Sequence, residues 1–360
     1  ITKHTYDVEG RLIKTQKALN TTAELIDIEI GYTINGQVDW RKDGNGNQTD
    51  YLYDGLDRLE RVTFPDGTYE AYGYDNNGNK LTWRKRDNTL ISYSYDDANY
   101  KVLTTVPNES NISFSYDGLG RQKRISRGGS TVSYTYEALG RPETTTTNGR
   151  KVTYGYDTTT GLKNRLTYPD NFYVTYAYET DGLLNTIKEN GGTTLVQYDY
   201  DNLSRLDSIK RHNNASTSSA LGYDSIGRLN AYHHNGITTT DYQFNPASQI
   251  IQRDVSDTRF QVQLPSVGTQ SYGVNELNQY TSVAGQAASY DDNGNLTAFD
   301  GWSYQYNAKN RLKHASKSGS SISIDYDANG RLSKTTVNGA STEYLYDGDE
   351  LIAEYVGGSL

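Results

Sequence analysis

The side chains that could carry out chemistry in this sequence are five histidines and many carboxylates, and there is no cysteine. His233 and His234 are adjacent, and neighbouring residues of a strand face opposite sides, so one metal ion cannot easily bind both. A polar strand end before the turn at Asn235-Gly236 is favoured over a metal site. We therefore expect no metal ligands.

Three segments have the spacing with which a calcium loop begins. An EF-hand loop also requires glycine at its sixth position, where Gln48, Lys80 and Leu296 stand instead. Asp and Asn at this spacing are also typical of tight turns, which is the interpretation we favour. The three segments are Asp43-x-Asn45-x-Asn47, Asp75-x-Asn77-x-Asn79 and Asp291-x-Asn293-x-Asn295.

Catalytic motifs are absent from the sequence. It contains no Gly-x-Ser-x-Gly, His-Glu-x-x-His or P-loop pattern, and it offers no thiol nucleophile. Carboxylate pairs for glycoside hydrolysis could be drawn from the many aspartates, but an Asp at the same place in each repeat indicates turn capping rather than one acid and one base. We predict a protein that is not an enzyme, with no catalytic residues and no cofactor.

Composition excludes further classes of function. The net charge of −9 and the scattered basic residues argue against a nucleic-acid partner, and no apolar run is long enough to span a bilayer. The 33 tyrosines supply rings that bury a large area while the hydroxyl stays hydrogen-bonded, which predicts a thin, layered core. Because the sequence begins at Ile1 rather than Met, we expect part of a longer or processed chain.

An internal repeat organises the whole sequence. An aromatic residue followed by an acidic or amide residue recurs at sixteen positions in approximate register, including a degenerate Tyr32-Thr33, with steps of 20 to 23 residues between Tyr53 and Tyr223. The positions that we predict to define the repeat are Tyr53, Asp54, Tyr74, Asp75, Tyr95, Asp96, Tyr116, Asp117, Gly120, Arg121, Tyr136, Tyr156, Asp157, Tyr178, Tyr200, Asp201, Tyr223, Asp224, Gly227, Arg228, Tyr290, Asp291, Tyr306, Tyr326, Asp327, Gly330, Arg331, Tyr346 and Asp347.

Each repeat is predicted to be a β-hairpin. Apolar residues alternate with polar ones before the pair, as in Val132, Tyr134 and Tyr136, which places them on one face of a strand. After the pair, Asp can cap the turn amides and a Gly or Asn three residues later accepts a positive φ. Leu then opens the return strand, and a second Gly- or Asn-rich turn leads to the next repeat.

Pairs of tyrosines lie two residues apart on many of these strands. The structural interpretation is that stacked hairpins align the rings into ladders of cross-strand aromatic pairs. The alternative is a carbohydrate-binding surface, for which the irregularly placed tryptophans would serve best. The residues in question are Tyr51/Tyr53, Tyr72/Tyr74, Tyr93/Tyr95, Tyr134/Tyr136, Tyr154/Tyr156, Tyr176/Tyr178, Tyr198/Tyr200, Tyr304/Tyr306 and Tyr344/Tyr346, with Trp40, Trp83 and Trp302.

These units resemble the YD repeats of bacterial RHS proteins, whose common form is a Tyr-x-Tyr-Asp strand followed by x-x-Gly-Arg-Leu. The likeness is sharpest from residue 275 onward, as in the runs 290–296 and 344–355. It implies an all-β fold in which tandem hairpins form a spiralling β-ribbon, shell or solenoid. Similar shells in bacterial polymorphic toxins and Tc toxin complexes enclose a C-terminal toxic domain, and similar repeats in teneurins serve cell adhesion.

The resemblance sets our expectations for organisation and function. We expect a continuous array over 1–360, with regular repeats over 1–245, a degenerate connection over 246–271, and repeats over 272–360 that lead toward an RHS core. No Asp-Pro pair occurs, so the self-cleaving core motif and the toxin are expected to be absent from these residues.

We expect a non-catalytic shell or stalk of a secreted or bacterial cell-surface protein. Its partner would be a C-terminal toxin or effector domain of the same longer chain, which the shell encapsulates or presents. A cell-surface adhesion or carbohydrate-binding module, with surface glycans as partners, is the alternative.

Overall fold

The structure is a computed structural model that describes residues 2–18, 25–211, 218–235, 238–260 and 268–359. The chain divides into two compact units. The first comprises Ile1–Val132 and Thr269–Leu360, and the second comprises Ser133–Gly268. Within the first unit we call residues 2–132 the N-terminal ribbon and residues 269–359 the C-terminal ribbon.

Twenty-four strands belong to one antiparallel sheet, in which strands that follow each other in the chain pair with each other. They are β1 Thr2–Tyr6, β2 Leu12–Lys17, β3 Leu25–Tyr32, β4 Val38–Asp43, β5 Gln48–Tyr53, β6 Leu59–Thr63, β7 Tyr69–Tyr74, β8 Lys80–Arg84, β9 Leu90–Tyr95, β10 Lys101–Thr105, β11 Ile112–Tyr116, β12 Gln122–Arg127, β13 Ser130–Tyr136, β14 Pro142–Thr147, β15 Arg150–Tyr156, β16 Lys163–Thr167, β17 Tyr173–Tyr178, β18 Leu184–Glu189, β19 Thr193–Tyr200, β20 Leu206–Arg211, β21 Ser219–Tyr223, β22 Leu229–His234, β23 Thr238–Phe244 and β24 Ile250–Val255.

Two smaller antiparallel sheets follow in the C-terminal ribbon, after a short 3-10 helix at Thr258–Phe260. The three-stranded sheet contains β25 Tyr272–Val274, β26 Tyr280–Val283 and β27 Gln286–Ala287. The eight-stranded sheet contains β28 Ser289–Tyr290, β29 Leu296–Phe299, β30 Trp302–Tyr306, β31 Leu312–Lys317, β32 Ser320–Tyr326, β33 Leu332–Val337, β34 Ala340–Asp347 and β35 Glu350–Val356.

The core is a thin row of aliphatic side chains on one face of the ribbon. Val132, Val152 and Val174 lie two residues before the tyrosine pair of their strands and are buried, as the alternating pattern predicts. On the return strands, Val62, Ile125 and Leu166 are also buried. Because Val62 and Leu166 lie opposite Tyr51 and Tyr154 in the register, aliphatic residues pack beside tyrosine rings.

In the hairpins whose register follows, a β-bulge lies at the end where the repeat pair stands. Tyr53 pairs with Leu59, whereas the preceding Leu52 pairs with Arg61, so the return strand carries one extra residue. The same shift precedes Tyr116 and Tyr326, which pair with Gln122 and Leu332. Bulges of this kind increase the local twist of a hairpin.

The expected all-β fold of tandem hairpins is confirmed, and one boundary is corrected. Ile250–Val255 forms a regular return strand paired with Thr238–Phe244, so the array continues ten residues, to Val255, into the interval 246–271 that we expected to be irregular. The reason is that Asn245 caps the Gln249 amide at 3.0 Å as the aspartates do elsewhere. Strands β25 to β29 have only two to four residues and are shorter than the strands of the other repeats.

Among the described residues, no helix is both long enough and apolar enough to cross a membrane.

Candidate functional site

The turn that follows each repeat pair, which we call the YD turn, is closed by its aspartate. In the turn 54–58, Asp54 Oδ1 accepts the backbone N–H groups of Leu56 at 2.9 Å and Arg58 at 3.0 Å. The backbone closes over it, because Asp54 N–H donates to the Arg58 carbonyl at 2.9 Å. The carboxylate thus satisfies amides that the bend leaves unpaired. Equivalent caps are made by Asp7, Asp75, Asp96, Asp117, Asp201, Asp224 and Asp291.

Where the fifth residue of the turn is arginine, that arginine pairs with the second carboxylate oxygen of the first residue. Arg58 Nε donates to Asp54 Oδ2 at 2.7 Å, and Arg205 Nε donates to Asp201 Oδ2 at 2.8 Å. The hydrogen bond from Arg58, followed by the turn amides, lowers the pKa of Asp54 below its usual value. Further pairs of this kind are Asp7–Arg11, Asp117–Arg121, Glu137–Arg141, Asp224–Arg228 and Asp327–Arg331.

The same arginine reaches the next repeat. The guanidinium carbon of Arg58 lies 4.7 Å from the centre of the Tyr74 ring, and its Nη1 donates to the Asp75 carbonyl at 2.8 Å. Arg205 over Tyr223, Arg228 over Phe244 and Arg331 over Tyr346 repeat this arrangement at 4.4, 4.5 and 4.8 Å. The aspartate, the arginine and the following tyrosine therefore form one continuous link between neighbouring hairpins.

The hydroxyl of the repeat tyrosine is hydrogen-bonded back to the previous hairpin. Tyr74 OH donates to the Leu59 carbonyl at 2.8 Å, at the start of the preceding return strand. Burial raises the pKa of this hydroxyl, which keeps it protonated as a donor. The same bond, between 2.7 and 3.0 Å, is made by Tyr53, Tyr95, Tyr116, Tyr156, Tyr178, Tyr200, Tyr223 and Tyr326.

The glycine of the YD turn has the positive φ that the sequence predicts. Gly120, Gly227 and Gly330 have φ values of 78°, 85° and 91°. A side chain at Gly330 would also collide with the Arg311 guanidinium, which donates to the Gly330 carbonyl at 2.7 Å. The glycine thus leaves room for the arginine of the preceding repeat.

The three segments with calcium-loop spacing are turns, as predicted. Asp75 Oδ1 accepts the Asn77 and Asn79 amides at 2.9 and 2.8 Å, and Asp75 Oδ2 accepts Asn79 Nδ2 at 2.8 Å. Two YD turns begin with Asn instead of Asp and have Gln as their fifth residue. In these two turns the first residue donates the side-chain hydrogen bond to the fifth, rather than accepting it. Asn245 Nδ2 and Asn275 Nδ2 donate to the side-chain oxygens of Gln249 and Gln279 at 2.8 and 2.9 Å. Donor and acceptor are matched in each of these pairs.

The last repeat departs from this turn. Asp347 is the final residue of β34 and pairs in register with Glu350, so a tight turn at 348–349 joins the two strands. The remaining predicted positions Tyr136 and Tyr306 end strands β13 and β30.

The tyrosine pairs have more specific partners than the aromatic ladders that we expected. Tyr72 OH donates to Glu70 Oε2 at 2.7 Å, and Lys80 Nζ lies 4.4 Å from the Tyr72 ring centre. Burial, followed by the bond to Glu70, raises the pKa of Tyr72. Tyr154 OH donates to Thr145 Oγ1 at 3.2 Å. One direct ring stack between neighbouring repeats joins Tyr100 and Tyr116 at 4.8 Å.

The histidine and tryptophan candidates take part in local contacts. His233 is exposed, whereas His234 is half-buried with its Nδ1 2.9 Å from Ser219 Oγ, so the two face opposite sides of β22. Trp83 Nε1 donates to Glu70 Oε2 at 3.2 Å, Trp40 lies 5.4 Å from Lys42 Nζ, and Trp302 stacks on Tyr304. Within the described ranges, no group of three or more His, Asp or Glu residues could hold a metal ion.

The two ribbons of the first unit meet turn to turn along a line that we call the seam. Its N-terminal side consists of return turns, the turns that follow the return strands, and its C-terminal side consists of YD turns. The contacts join residues 235, 206, 199 and 198 positions apart in the sequence. They are Asn278 Nδ2 to Asp43 Oδ2 at 2.7 Å, Asn293 Nδ2 to Asp87 Oδ2 at 2.5 Å, Ala308 N to Glu109 Oε1 at 2.5 Å, and Ala328 N to Ser130 Oγ at 3.2 Å.

A cavity lined by both ribbons and a charged cluster complete the seam. Leu277 lines a cavity of about 240 Å³ together with Phe64 and Pro65 of a return turn. Further along, Glu109 is ion-paired with Arg127. Burial, followed by the charges of Arg311, Lys101 and Arg127, lowers the pKa of Lys309 to about 8. Basic residues scattered in the sequence therefore converge at this point.

Sequence reasoning predicted the turn caps but missed two features. The Asp-to-Arg-to-Tyr link could have been found from the regular spacing of Asp54, Arg58 and Tyr74, since an arginine four residues after an aspartate recurs with the repeat. The seam has no such signal, because its partners lie in different repeats far apart in the chain.

Comparison with solved structures shows which fold this is. The crystal structure of TcdB2-TccC3-TEV matches with a TM-score of 0.61 at 14% identity, over 99% of this chain and 23% of the solved chain. The crystal structure of TcdB2-TccC3-Cdc42 matches with a TM-score of 0.57 at 12% identity, over 99% and 27%. A Photorhabdus luminescens Tc holotoxin pore with a mutated TccC3 matches with a TM-score of 0.51 at 13% identity, over 99% and 23%. This chain spans about a quarter of the length of these solved chains, and the likeness shows a shared fold.

No curated protein sequence matches the chain significantly. The sequence model of the teneurin YD-shell family, in contrast, matches residues 84–194 and 195–351, which together are well over half of the chain. The matched residues include most of the YD turns, the linking arginines and the C-terminal side of the seam described above. The repeat chemistry and this match agree that the chain belongs to the teneurin YD-shell family and is a structural shell segment.

Proposed function

We propose that this chain is a non-catalytic wall of a secreted or cell-surface protein, and that it encloses or presents a toxin or effector domain on the same longer chain. The seam carries this proposal. Because YD turns bind return turns about 200 residues earlier, the ribbon lies alongside itself, as the wall of a container requires. The structural neighbours include a Tc holotoxin pore, which agrees with a toxin partner.

The chemistry of the carboxylates supports a structural role. Catalysis by a general acid needs one carboxyl group with a raised pKa beside a partner that differs from it. In Asp54, Asp201 and Asp224 the pKa is lowered instead, by arginine side chains and turn amides in the same arrangement. A recurring lowered pKa is typical of turn capping and ion pairing.

Protection from protease tests the proposed enclosure. In the complete protein, a domain that follows residue 360 should resist proteolysis while the wall is intact. The double variant Asp87→Lys and Glu109→Lys removes two acceptors of the seam and places cations near Arg86 and Arg127, so it should open the wall. Cleavage of the enclosed domain should then become at least about tenfold faster.

A matched control separates opening from general destabilisation. Asp39→Lys together with Glu60→Lys makes the same change in charge at exposed strand positions outside the seam. This control should leave the enclosed domain protected. Equal cleavage of the domain in the unsubstituted protein and in the seam variant would contradict enclosure. Retention of the chain on an immobilised polysaccharide would favour a glycan-binding module instead.

A further inference from the structure

The YD turns of the two ribbons in the first unit differ sharply in exposure. In the C-terminal ribbon, Leu277 is half-buried against a return turn, and Ala328 is only 3% exposed. In the N-terminal ribbon, the third residue of the equivalent turns is Leu56 or Leu119, exposed by 67% and 78%. At the third turn position, the side chain is therefore partly covered in Leu277 of one ribbon and uncovered in Leu56 and Leu119 of the other.

The uncovered side chains form a series. Val8 and Ile34, at the second position of the first two YD turns, are essentially fully exposed. The second unit also carries exposed aliphatic residues at the third position of its YD turns, namely Leu139, Leu203 and Ile226 at 79%, 72% and 69%. Turn tips are normally polar, so large aliphatic residues repeated at one turn position indicate a contact surface.

The seam shows what such a leucine fits. Leu277 lines the same cavity as Phe64 and Pro65, the first two residues of the five-residue return turn that ends at Thr68. In that turn Asp66 Oδ1 accepts the Thr68 amide at 3.0 Å, and Gly67 has a φ of 78°.

The second unit contains a return turn of the same chemistry, Tyr168-Pro169-Asp170-Asn171-Phe172. Here Asp170 Oδ1 accepts the Phe172 amide at 3.0 Å, and Asn171 has a φ of 72°. Each turn begins with an aromatic residue followed by proline. Each is closed by a backbone hydrogen bond between residues four positions apart, from Phe64 N to Thr68 O at 2.9 Å and from Tyr168 N to Phe172 O at 2.7 Å. One chain thus carries exposed leucines at the turn position that Leu277 occupies in the seam, and a second return turn of the kind that lines the seam cavity.

We propose that the YD-turn edge of the N-terminal ribbon, marked by Leu56 and Leu119, docks on the aromatic-proline return turn 168–172 of a second copy of this chain. The contact is a continuation of the seam in another molecule. Because it joins two different surfaces, it is heterologous and allows copies to add one after another. The inference rests on the seam and the exposed leucines, and it stands or falls independently of any enclosed domain.

Self-association over about a hundredfold range of concentration tests the proposal. Sedimentation velocity should show the unsubstituted chain growing in mass with concentration. The double variant Leu56→Glu and Leu119→Glu should weaken association by at least about tenfold, because charged groups cannot be desolvated against the aromatic-proline turn. The control Leu52→Glu with Leu90→Glu changes two leucines on strands that are also exposed, by 54% and 47%, and should associate like the unsubstituted chain.

A disulfide test locates the contact, and the sequence suits it because it contains no cysteine. Leu119→Cys is mixed with Asp170→Cys under mild oxidation, and the mixed dimer should form several-fold faster than from Leu52→Cys with Asp170→Cys. A chain that stays monomeric at all concentrations would overturn the proposal. Equal rates of mixed-dimer formation in the two pairs would also overturn it.

Discussion

Asn307 leaves the Nε of Arg311 without a hydrogen-bond partner among the described residues, although that atom is buried. The rest of the arginine is placed as in other repeats, with Nη1 on the Gly330 carbonyl at 2.7 Å and the guanidinium 4.4 Å from the Tyr326 ring. Asn307 Oδ1 accepts the Lys309 and Arg311 amides at 3.0 Å, so its second side-chain atom is an amide nitrogen where other turns have an oxygen. Two hydrogen-bond donors, Asn307 Nδ2 and Arg311 Nε, therefore lie at the positions that form an Asp–Arg ion pair in other YD turns.

Replacing Asn307 with Asp should stabilise the protein by about 1 to 2 kcal/mol, because the buried donor gains a charged acceptor. Urea unfolding followed by circular dichroism measures the change. The control is Asn275→Asp, where Asn275 Nδ2 already donates to Gln279 Oε1 and nothing is gained. Equal stabilisation by the two substitutions would show that the mismatch at Arg311 has no cost.

Replacing Lys309 with Leu should stabilise the chain by about 1 kcal/mol at pH 7, because the charged amine is half-buried beside three other cations. The folded pKa of about 8 lies below the ordinary lysine pKa of 10.5, so the unfolded state holds more protons between these two pH values. The stability of the unsubstituted chain should therefore rise from pH 8 toward 9.5, and the gain of the variant should shrink.

Thermal unfolding at a series of pH values checks this behaviour of Lys309. The substitution Lys123→Leu, at an exposed strand position, should change neither the stability nor its dependence on pH. A constant difference between Lys309→Leu and the unsubstituted chain from pH 7 to pH 9.5 would contradict the lowered pKa.

A double-mutant cycle on Arg58→Lys and Tyr74→Leu should give a coupling energy of about 0.5 to 1 kcal/mol, because the guanidinium lies over the ring. The free energies of unfolding of the four proteins provide the value. A second cycle that combines Arg58→Lys with Tyr95→Leu, one repeat further along, should be additive within about 0.3 to 0.5 kcal/mol. Similar coupling in both cycles would mean that the link between repeats is not specific to neighbours.

Gly120→Val and Gly330→Val should each destabilise the chain by about 1 to 3 kcal/mol, because a β-branched residue does not tolerate positive φ. At Gly330 the new side chain would also displace Arg311. Gly118→Val is the matched control, since Gly118 lies in the same turn as Gly120 but faces open space. If both variants melted at the same temperature as the unsubstituted chain, the YD turn would not require glycine at these positions.

The features that could be predicted from sequence are those contained within one repeat. The alternation in Val132, Tyr134 and Tyr136 predicted the strand, and Asp117 with Gly120 predicted the turn and its positive φ. The boundary at residue 245 was wrong, because an Asn can replace Asp as the cap and so the repeat at Phe244 continues into Val255. Local hydrogen bonds and steric rules decide these features.

Features that join different repeats could not be predicted in the same way. The sequence predicted hydrogen-bonded tyrosine hydroxyls but not their partners, since Tyr74 OH donates to a backbone carbonyl, which no side-chain pattern records. The seam pairs Asp87 with Asn293, and its geometry depends on the twist accumulated over many hairpins. Small changes in twist at each bulge move such distant partners by whole repeats.

The seam also sets an order for folding during synthesis. Each hairpin joins neighbours in sequence and can close as soon as it leaves the ribosome, since local contacts form quickly. Ser130, in contrast, must wait for Ala328, 198 residues later. At about 5 to 20 residues per second this delay is roughly 10 to 40 s. During that interval the return turns of the nascent N-terminal ribbon are open to chaperones and proteases, and the arrival of the C-terminal ribbon ends that exposure.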